Sequence, residues 1–363
     1  MSATMVFDAE TVEHLSQQRP AAPWGRRTSR FRMIVILAIL LPAVVVTLLF
    51  FYSTIPGPMI MIAIYLPLQL IAAGLAATAV RGKKAAGDAV IIVCSIGATI
   101  FSLVVLVSVL WSLVSKGLPA ISPQFIFFSN EYISPSTPLE YGGIGHAIVG
   151  TFLIVAIATL LAVPLGVATA VYITEVRGRA VPYVRFFVQA MSGVPSVVAG
   201  LFILTVFILT GVLQTSGFAA GLAYAILMLP TVARTAEEVL RLVPDELRTG
   251  ALALGSTRAR VVAQVVLPAA KTGIITATIL GIARVVGETA PLLLTALKND
   301  KTVLNPFIDP ISALPTYVFE NVAQPYPDAV TRAWGAALTL MVIVAVLFTL
   351  TRMLSSRSVG KKR

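Results

Sequence analysis

The sequence contains little charge and a single cysteine. Asp, Glu, Lys and Arg make up 12% of the 363 residues, whereas 57% of the residues are hydrophobic. So few charged side chains exclude an ordinary water-soluble domain of this size. Cys94 lies alone in an apolar run, which excludes an intramolecular disulfide. We expect Cys94 to act as a small hydrophobic side chain.

The sequence also lacks the pattern G-x-x-x-x-G-K-[ST]. The backbone N–H groups of a loop with that pattern hold nucleotide phosphates, so its absence argues against ATP hydrolysis by this chain. The methionines show no clustering of the kind that metal ligands have. We therefore expect a chain that is not an enzyme and has no cofactor or metal of its own. Any energy that it uses must come from a partner.

What the sequence does contain is a series of long apolar runs. Residues 33–80 and 186–233 each carry no charge over 48 positions, too long for one crossing of a bilayer core about 30 Å thick. Turn residues at 53–58 and 211–217 divide each run into two helices. We predict an all-α polytopic membrane protein with eight transmembrane helices. They lie in residues 33–80 (two), 89–115, 147–174, 186–233 (two), 272–297 and 333–351.

The positive charges follow this arrangement. Of the 27 lysines and arginines, 22 fall in five segments that the eight-helix prediction places on one side of the membrane. Lys and Arg favour the cytoplasmic side. We therefore predict a multi-pass protein of the cytoplasmic membrane, in contact with lipid and with both termini in the cytoplasm. Because the charges do not form one face, nucleic acid is not an expected partner.

The polar loop of residues 234–271 carries a recognisable spacing. Gly255 is followed by Leu267 and Pro268, as in the cytoplasmic EAA loop of permease subunits of ABC importers. Two flanking segments restrict the similarity to a smaller group of permeases. They are R-T-A-E-E-V-L before this loop and A-R-V-V-G-E-T-A-P-L after it. Over residues 88–355, the chain resembles the PstA-type permease subunits of phosphate-specific ABC importers.

The resemblance implies that the loop couples the chain to a separate ATPase. Residues that match the loop and its flanks are Arg234, Glu237, Glu238, Glu246, Arg248, Gly255, Leu267 and Pro268. The residues themselves predict two short helices broken near Gly255, with Asp245 and Glu246 in a first helical turn. Glu237 and Glu238 are expected on a solvated face. Thr249 stands where the family has its loop glutamate, which leaves Arg248 or Glu246 as a substitute.

The resemblance also divides the chain. Six helices would form the core of a type I importer permease, and the first two would be an added hairpin without a functional signal. The predicted segments are a cytoplasmic tail (1–32), the hairpin (33–84), the permease domain (88–355) with its loop (234–271), and a basic tail (356–363).

Two charged residues lie near the middle of the seventh predicted helix. Ionisable groups at that depth are costly, so Arg284 and Glu288 are by default functional. Arginine binds phosphate oxygens well, and the glutamate can accept the proton of hydrogenphosphate. With Thr289 they form the predicted substrate pathway. The alternative is that Arg284 and Glu288, four residues apart on one helix face, neutralise each other and only fix packing.

The function implied is that of a permease subunit that imports inorganic phosphate with energy from ATP. The resemblance implies these partners: a PstC-type permease chain, two PstB-type ATPase subunits that use ATP and Mg²⁺, and an extracytoplasmic PstS-type phosphate-binding protein. An importer of molybdate or sulfate is a second hypothesis. A secondary transporter or channel that works without ATP is a third.

Overall fold

The computed structural model describes residues 29–52, 57–82 and 84–359. Every regular element in these residues is a helix, which confirms the all-α prediction. The N-terminal tail up to residue 28, the turn residues 53–56, residue 83 and the last residues, 360–363, lie outside the described residues. The predictions made for those segments stay predictions.

The chain separates into two units, Met1–Ser108 and Val109–Arg363. In the first unit, helix α1 (Ser29–Tyr52) packs against helix α2 (Leu66–Arg81), and the amide of Gln69 donates a hydrogen bond to the carbonyl of Ala38 across this pair. Helix α3 (Lys84–Gly117) follows and continues into the second unit.

Eleven α-helices of the described residues lie wholly within the second unit. They are α4 (Pro123–Phe127), α5 (Gly145–Val171), α6 (Val181–Ser192), α7 (Ser196–Ile203), α8 (Gly217–Arg241), α9 (Asp245–Ala253), α10 (Arg258–Val261), α11 (Leu267–Val286), α12 (Ala290–Thr295), α13 (Leu314–Val322) and α14 (Pro327–Val359). Three continue as wider π-helical turns: α5 through Tyr172–Val176, α7 through Leu204–Ile208, and α10 through Val262–Val266 into α11.

Six of the described helices are long and apolar enough to cross a membrane, and a bent pair of helices makes a seventh if it counts as one span. The bend lies in the fifth predicted span, where α6 and α7 meet at 102°. Pro195 explains it, because proline lacks an N–H group and disfavours helical backbone at the preceding residue. The apolar stretch Ala63–Ala79 in the first unit is shorter than the other spans.

Helix α8 forms the centre of the second unit. Tyr224 and Met228 of α8 lie in a buried apolar cluster with Ile154 of α5 and Leu292 of α12. Helix α11 lies close to α8 at its glycines. A Cβ atom added at Gly281 would lie 2.8 Å from Cγ2 of Val232. Small residues allow this close contact between helix backbones and fix the position of α11 along α8.

Arg332 of α14 organises the irregular segment between α4 and α5. Its side chain is 1% exposed, and its Nη2 donates to the carbonyls of Thr137 at 2.6 Å and Pro138 at 2.7 Å. The structure shows that Arg332 holds this segment against α14.

Candidate functional site

The seventh predicted span is interrupted at the charged residues. Helix α11 ends at Val286, residues 287–289 are not helical, and α12 begins at Ala290. Pro291 accounts for the break, because its ring would clash with the carbonyl of residue 287 in a continuous helix and it has no N–H to donate there. Arg284 is therefore helical and Glu288 is not, which differs from the expectation of a shared helix face.

The two charged side chains do not pair with each other. Among the described residues, no ion pair joins Arg284 and Glu288. Instead, Nη1 of Arg284 donates a hydrogen bond to Oγ1 of Thr231 at 2.7 Å. The hydroxyl of Tyr224 donates to the backbone carbonyl of Glu288. Tyr224 and Thr231 are seven residues apart, so one face of α8 positions both groups.

The three predicted pathway residues lie at or just before the break and remain accessible. Arg284 is exposed, and Glu288 and Thr289 are half-buried. Arg284 uses one of its five N–H donors on Thr231, which leaves the others free to bind an anion. The structure thus places a carboxylate and a hydroxyl at a helix break and a cation in the last turn of the helix before it.

The predicted break near Gly255 is confirmed, but the second helix is not a separate short one, because α10 continues into α11 as one helix, Arg258–Val286. Helix α9 ends at Ala253, α10 begins at Arg258, and Gly255 between them has φ +81°. No atom lies within 4 Å of a Cβ atom added at Gly255. The turn therefore requires glycine because of its backbone conformation and not because of limited space.

This distinction gives a prediction with a matched control. Replacing Gly255 with alanine should cost about 1 kcal/mol in the native loop, because φ is positive there. Gly250 lies in α9 with equally open space around it, so Gly250→Ala should leave the loop intact or strengthen its helix. Uptake by the assembled complex should fall for Gly255→Ala only. An equal loss in both variants would mean that the backbone of Gly255 has no special part in the loop.

Arg248 is the residue that joins the loop to the helices. Its guanidinium donates to Glu175 at 2.8 Å, to Asp245 at 3.0 Å, and to the carbonyls of Leu240 and Val243. The side chains of Arg248 and Glu175 are 14% and 10% exposed. The hydrogen bond to Glu175 raises the pKa of Arg248 above its usual value. One guanidinium thus ties α9 to the end of α5 and the end of α8.

These contacts bear on the missing loop glutamate. The guanidinium of Arg248 is turned inward and is already hydrogen-bonded to Glu175, Asp245 and two carbonyls. The hydroxyl of Thr249 donates to the carbonyl of Asp245 at 3.1 Å. Glu246 is exposed on α9. Of the two residues left as substitutes by the sequence, Glu246 is the one that presents a carboxylate to solvent.

The end of the loop enters α11 without interruption. Leu267 packs against a buried cluster that includes Ala236, Val261 and Val266, and the exposed Pro268 follows it. The π-helical turn Val262–Val266 directly precedes these residues. A wider turn accommodates a proline whose ring would otherwise meet the preceding turn of an α-helix.

The expectation of a solvated Glu237 is wrong. Its side chain is 13% exposed, and its Oε1 accepts from Arg185 at 3.0 Å and from Arg241 at 2.6 Å. Glu238 is exposed, as expected, and so is Arg234. The difference arises because α6 passes beside this part of α8.

The predicted residues therefore form two groups, one at the α11–α12 break and one at the loop. Three residues at these groups escaped the sequence reasoning: Tyr224, Thr231 and Glu175. Arg248 and Glu175 are 73 residues apart, and no periodic pattern links positions at that separation. An acidic residue directly before the basic turn at 177–185 was the only available signal for Glu175.

Comparison with known proteins adds the following. A family model described as "Binding-protein-dependent transport system inner membrane component" matches residues 162–359. The chain is 39% identical over 250 residues to "Phosphate transport system permease protein PstA 1" of Mycobacterium tuberculosis (strain CDC 1551 / Oshkosh), a match that covers 68% of this chain and 82% of that protein.

A second relative is "Phosphate transport system permease protein PstA" of Haemophilus influenzae (strain ATCC 51907 / DSM 11121 / KW20 / Rd), 38% identical over 245 residues, with 66% and 84% of the two chains covered. A solved structure of the inward-facing MetNI methionine ABC transporter matches with a TM-score of 0.45 at 18% identity, covering 60% of this chain and 93% of that one. The residues matched by the family model include the loop and the α11–α12 break.

Proposed function

Because this chain belongs to the family of binding-protein-dependent transport system inner membrane components, we propose that it is the PstA-type permease subunit of an ATP-driven phosphate importer. The observation that carries this proposal is the 39% identity with a phosphate transport system permease over 82% of that protein. The chain is a non-catalytic membrane subunit, and a separate protein hydrolyses ATP.

The α11–α12 break supports a role in passing phosphate. Arg284 would bind the anion through the N–H groups that Thr231 leaves free, since a guanidinium matches the oxygens of phosphate. Glu288 would accept the proton of hydrogenphosphate, which fully ionised sulfate lacks. Thr289 would donate its hydroxyl to a further oxygen. Because Tyr224 and Thr231 already hold this arrangement, little ordering would be needed when the ion arrives.

The loop would receive the ATPase. In this proposal two PstB-type subunits, which use ATP and Mg²⁺, act on the chain through α9 and α10, while a PstC-type permease completes the path and a PstS-type protein delivers phosphate. Arg248 supports this, because its bonds to Glu175 and to the end of α8 would carry a displacement of the loop into two helices at once.

The proposed membrane arrangement keeps eight spans. The six long helices, the bent pair α6–α7 and the short apolar stretch Ala63–Ala79 together give that number. The hairpin of residues 33–84 would precede the permease domain of 88–355. Both termini and the loop of 234–271 would lie in the cytoplasm, in accord with the distribution of lysine and arginine.

This orientation predicts the accessibility of the loop. In a Cys94→Ser background, Ser256→Cys should react with a membrane-impermeant thiol reagent in inside-out vesicles and not in intact cells. Ser256 lies between α9 and α10 in the loop. The side of the membrane from which it is labelled is therefore the side on which the loop lies. Labelling of Ser256→Cys in intact cells would show that the loop faces outward, opposite to the proposed orientation.

The substrate is tested with the assembled complex in proteoliposomes. Phosphate with its binding protein should stimulate ATPase activity and be accumulated, whereas sulfate and molybdate should do neither. Stimulation by sulfate or molybdate would identify that oxyanion, and not phosphate, as the substrate. Accumulation without any nucleotide would contradict an ATP-driven importer.

A further inference from the structure

A second polar site lies apart from the α11–α12 break. Between α6 and α8 the structure has a cavity of about 300 Å³. Arg185 and Gln189 of α6 line it together with Arg234, Glu237, Glu238 and Arg241 of α8. Three guanidinium groups and two carboxylates give this lining a net positive charge. The cavity therefore favours an anion over a cation.

Three of the α8 residues that line the cavity belong to a polar stripe on that helix. The stripe consists of Thr231, Arg234, Glu238 and Arg241, which are spaced by three and four residues and so share one helix face. All four are exposed or half-exposed, whereas the preceding half of α8 is largely buried. Thr231 accepts the hydrogen bond from Arg284. The stripe thus begins at the residue that binds Arg284, and Arg234, the first cavity residue on it, lies about 4.5 Å further along the helix axis.

The charged residues that line the cavity differ in whether they form ion pairs with one another. Glu237 accepts from both Arg185 and Arg241 through one carboxylate oxygen, so these arginines offset its charge. Arg234 forms no ion pair within the part of the chain that the structure describes. Its guanidinium lines the cavity with its donors available, in a geometry suited to the oxygens of phosphate.

We propose that this cavity is a low-affinity exit site for phosphate, in which Arg234 is the first ligand of the ion after it leaves Arg284. The proposal rests on the proposed function and adds a second binding position on its pathway. Glu238 repels an anion in the cavity and keeps its affinity low. Low affinity suits release, because a tight site would retain the ion that transport has delivered.

Protection from thiol labelling tests the site directly. Gln189→Cys is introduced into the Cys94→Ser chain, and the assembled complex is treated with a neutral maleimide, with either inorganic phosphate or chloride at equal ionic strength. Phosphate at millimolar concentration should slow labelling at least about threefold, because an ion held by Arg234 fills the cavity. Arg234→Gln should abolish this protection. Arg258→Gln, which removes an exposed arginine of α10 outside the cavity, should retain it.

Three results would overturn the exit site. They are equal labelling in phosphate and chloride, protection that persists in Arg234→Gln, and a cysteine that is unreactive in the assembled complex because a partner chain covers the cavity. Phosphate uptake by the Cys94→Ser complex is measured in parallel. Normal uptake without protection removes the exit site alone, whereas a complex that does not transport phosphate removes the proposed function.

Discussion

Replacing Arg284 with glutamine should reduce phosphate uptake by the assembled complex at least about tenfold. A hydrogen bond to a charged group contributes about 1.5–3 kcal/mol, and 1.4 kcal/mol corresponds to a factor of ten. Arg284 is the only charged residue of α11 beyond Lys271, so nothing else on that helix replaces its charge. Lys271→Gln, which removes an exposed positive charge from the same helix, is the matched control and should transport normally.

Glu288 separates a substrate role from a packing role. If the two charges only neutralised each other, the double variant Arg284→Gln with Glu288→Gln would be milder than Arg284→Gln, because no unpaired charge would remain. Since Arg284 bonds to Thr231 and not to Glu288, we expect the double variant to be as inactive as Arg284→Gln. Uptake is normalised to the amount of assembled complex. Recovery in the double variant would contradict the pathway assignment.

Replacing Arg248 with glutamine should destabilise the loop and lower both uptake and the yield of assembled complex. The change leaves the carboxylate of Glu175 without its partner and removes the donors to two carbonyls at the end of α8. Such losses cost about 2–3 kcal/mol together. The yield of complex that retains the ATPase chains after purification, and its thermal inactivation, are the measurements.

The variants of Glu175 serve as controls for this effect. Glu175→Gln should be milder than Arg248→Gln, because Arg248 keeps its bonds to Asp245, Leu240 and Val243. Adding Glu175→Gln to Arg248→Gln should restore part of the stability, since the unpaired carboxylate is removed. If Arg248→Gln and wild-type complexes were equally stable, Arg248 would not be the link between the loop and the helices.

Local patterns in the sequence predicted much of this arrangement. Uncharged runs gave the helices, and glycine gave the turn at residue 255, because both depend on near neighbours along the chain. The α11–α12 break was also marked in the sequence by Gly287 and Pro291. Their effect on Glu288 was not foreseen, because the spacing of Arg284 and Glu288 was interpreted as if the helix continued.

Contacts between distant segments were out of reach of such patterns. Thr231 carries no distinguishing signal within the apolar run 186–233, and only the packing of α11 at Gly281 places it beside Arg284. Glu237 looked like a solvated residue because nothing in its own helix shows that Arg185 of α6 lies next to it. In both cases the tertiary neighbour, and not the local sequence, determines what the side chain does.

The uninterrupted passage from α10 into α11 has a mechanical consequence. Arg258–Val286 forms 29 residues of continuous helix, a rod about 43 Å long at 1.5 Å per residue. The rod contacts α8 closely at Gly273, where an added Cβ atom would lie 2.2 Å from Val239. This contact is a point about which the rod could tilt. A tilt of about 10° around it would move Arg284 by about 3 Å, since that residue lies roughly 16 Å along the rod. A displacement of the loop end would therefore move Arg284 as well. A movement of this size would be long enough to break the hydrogen bond between its guanidinium and Thr231.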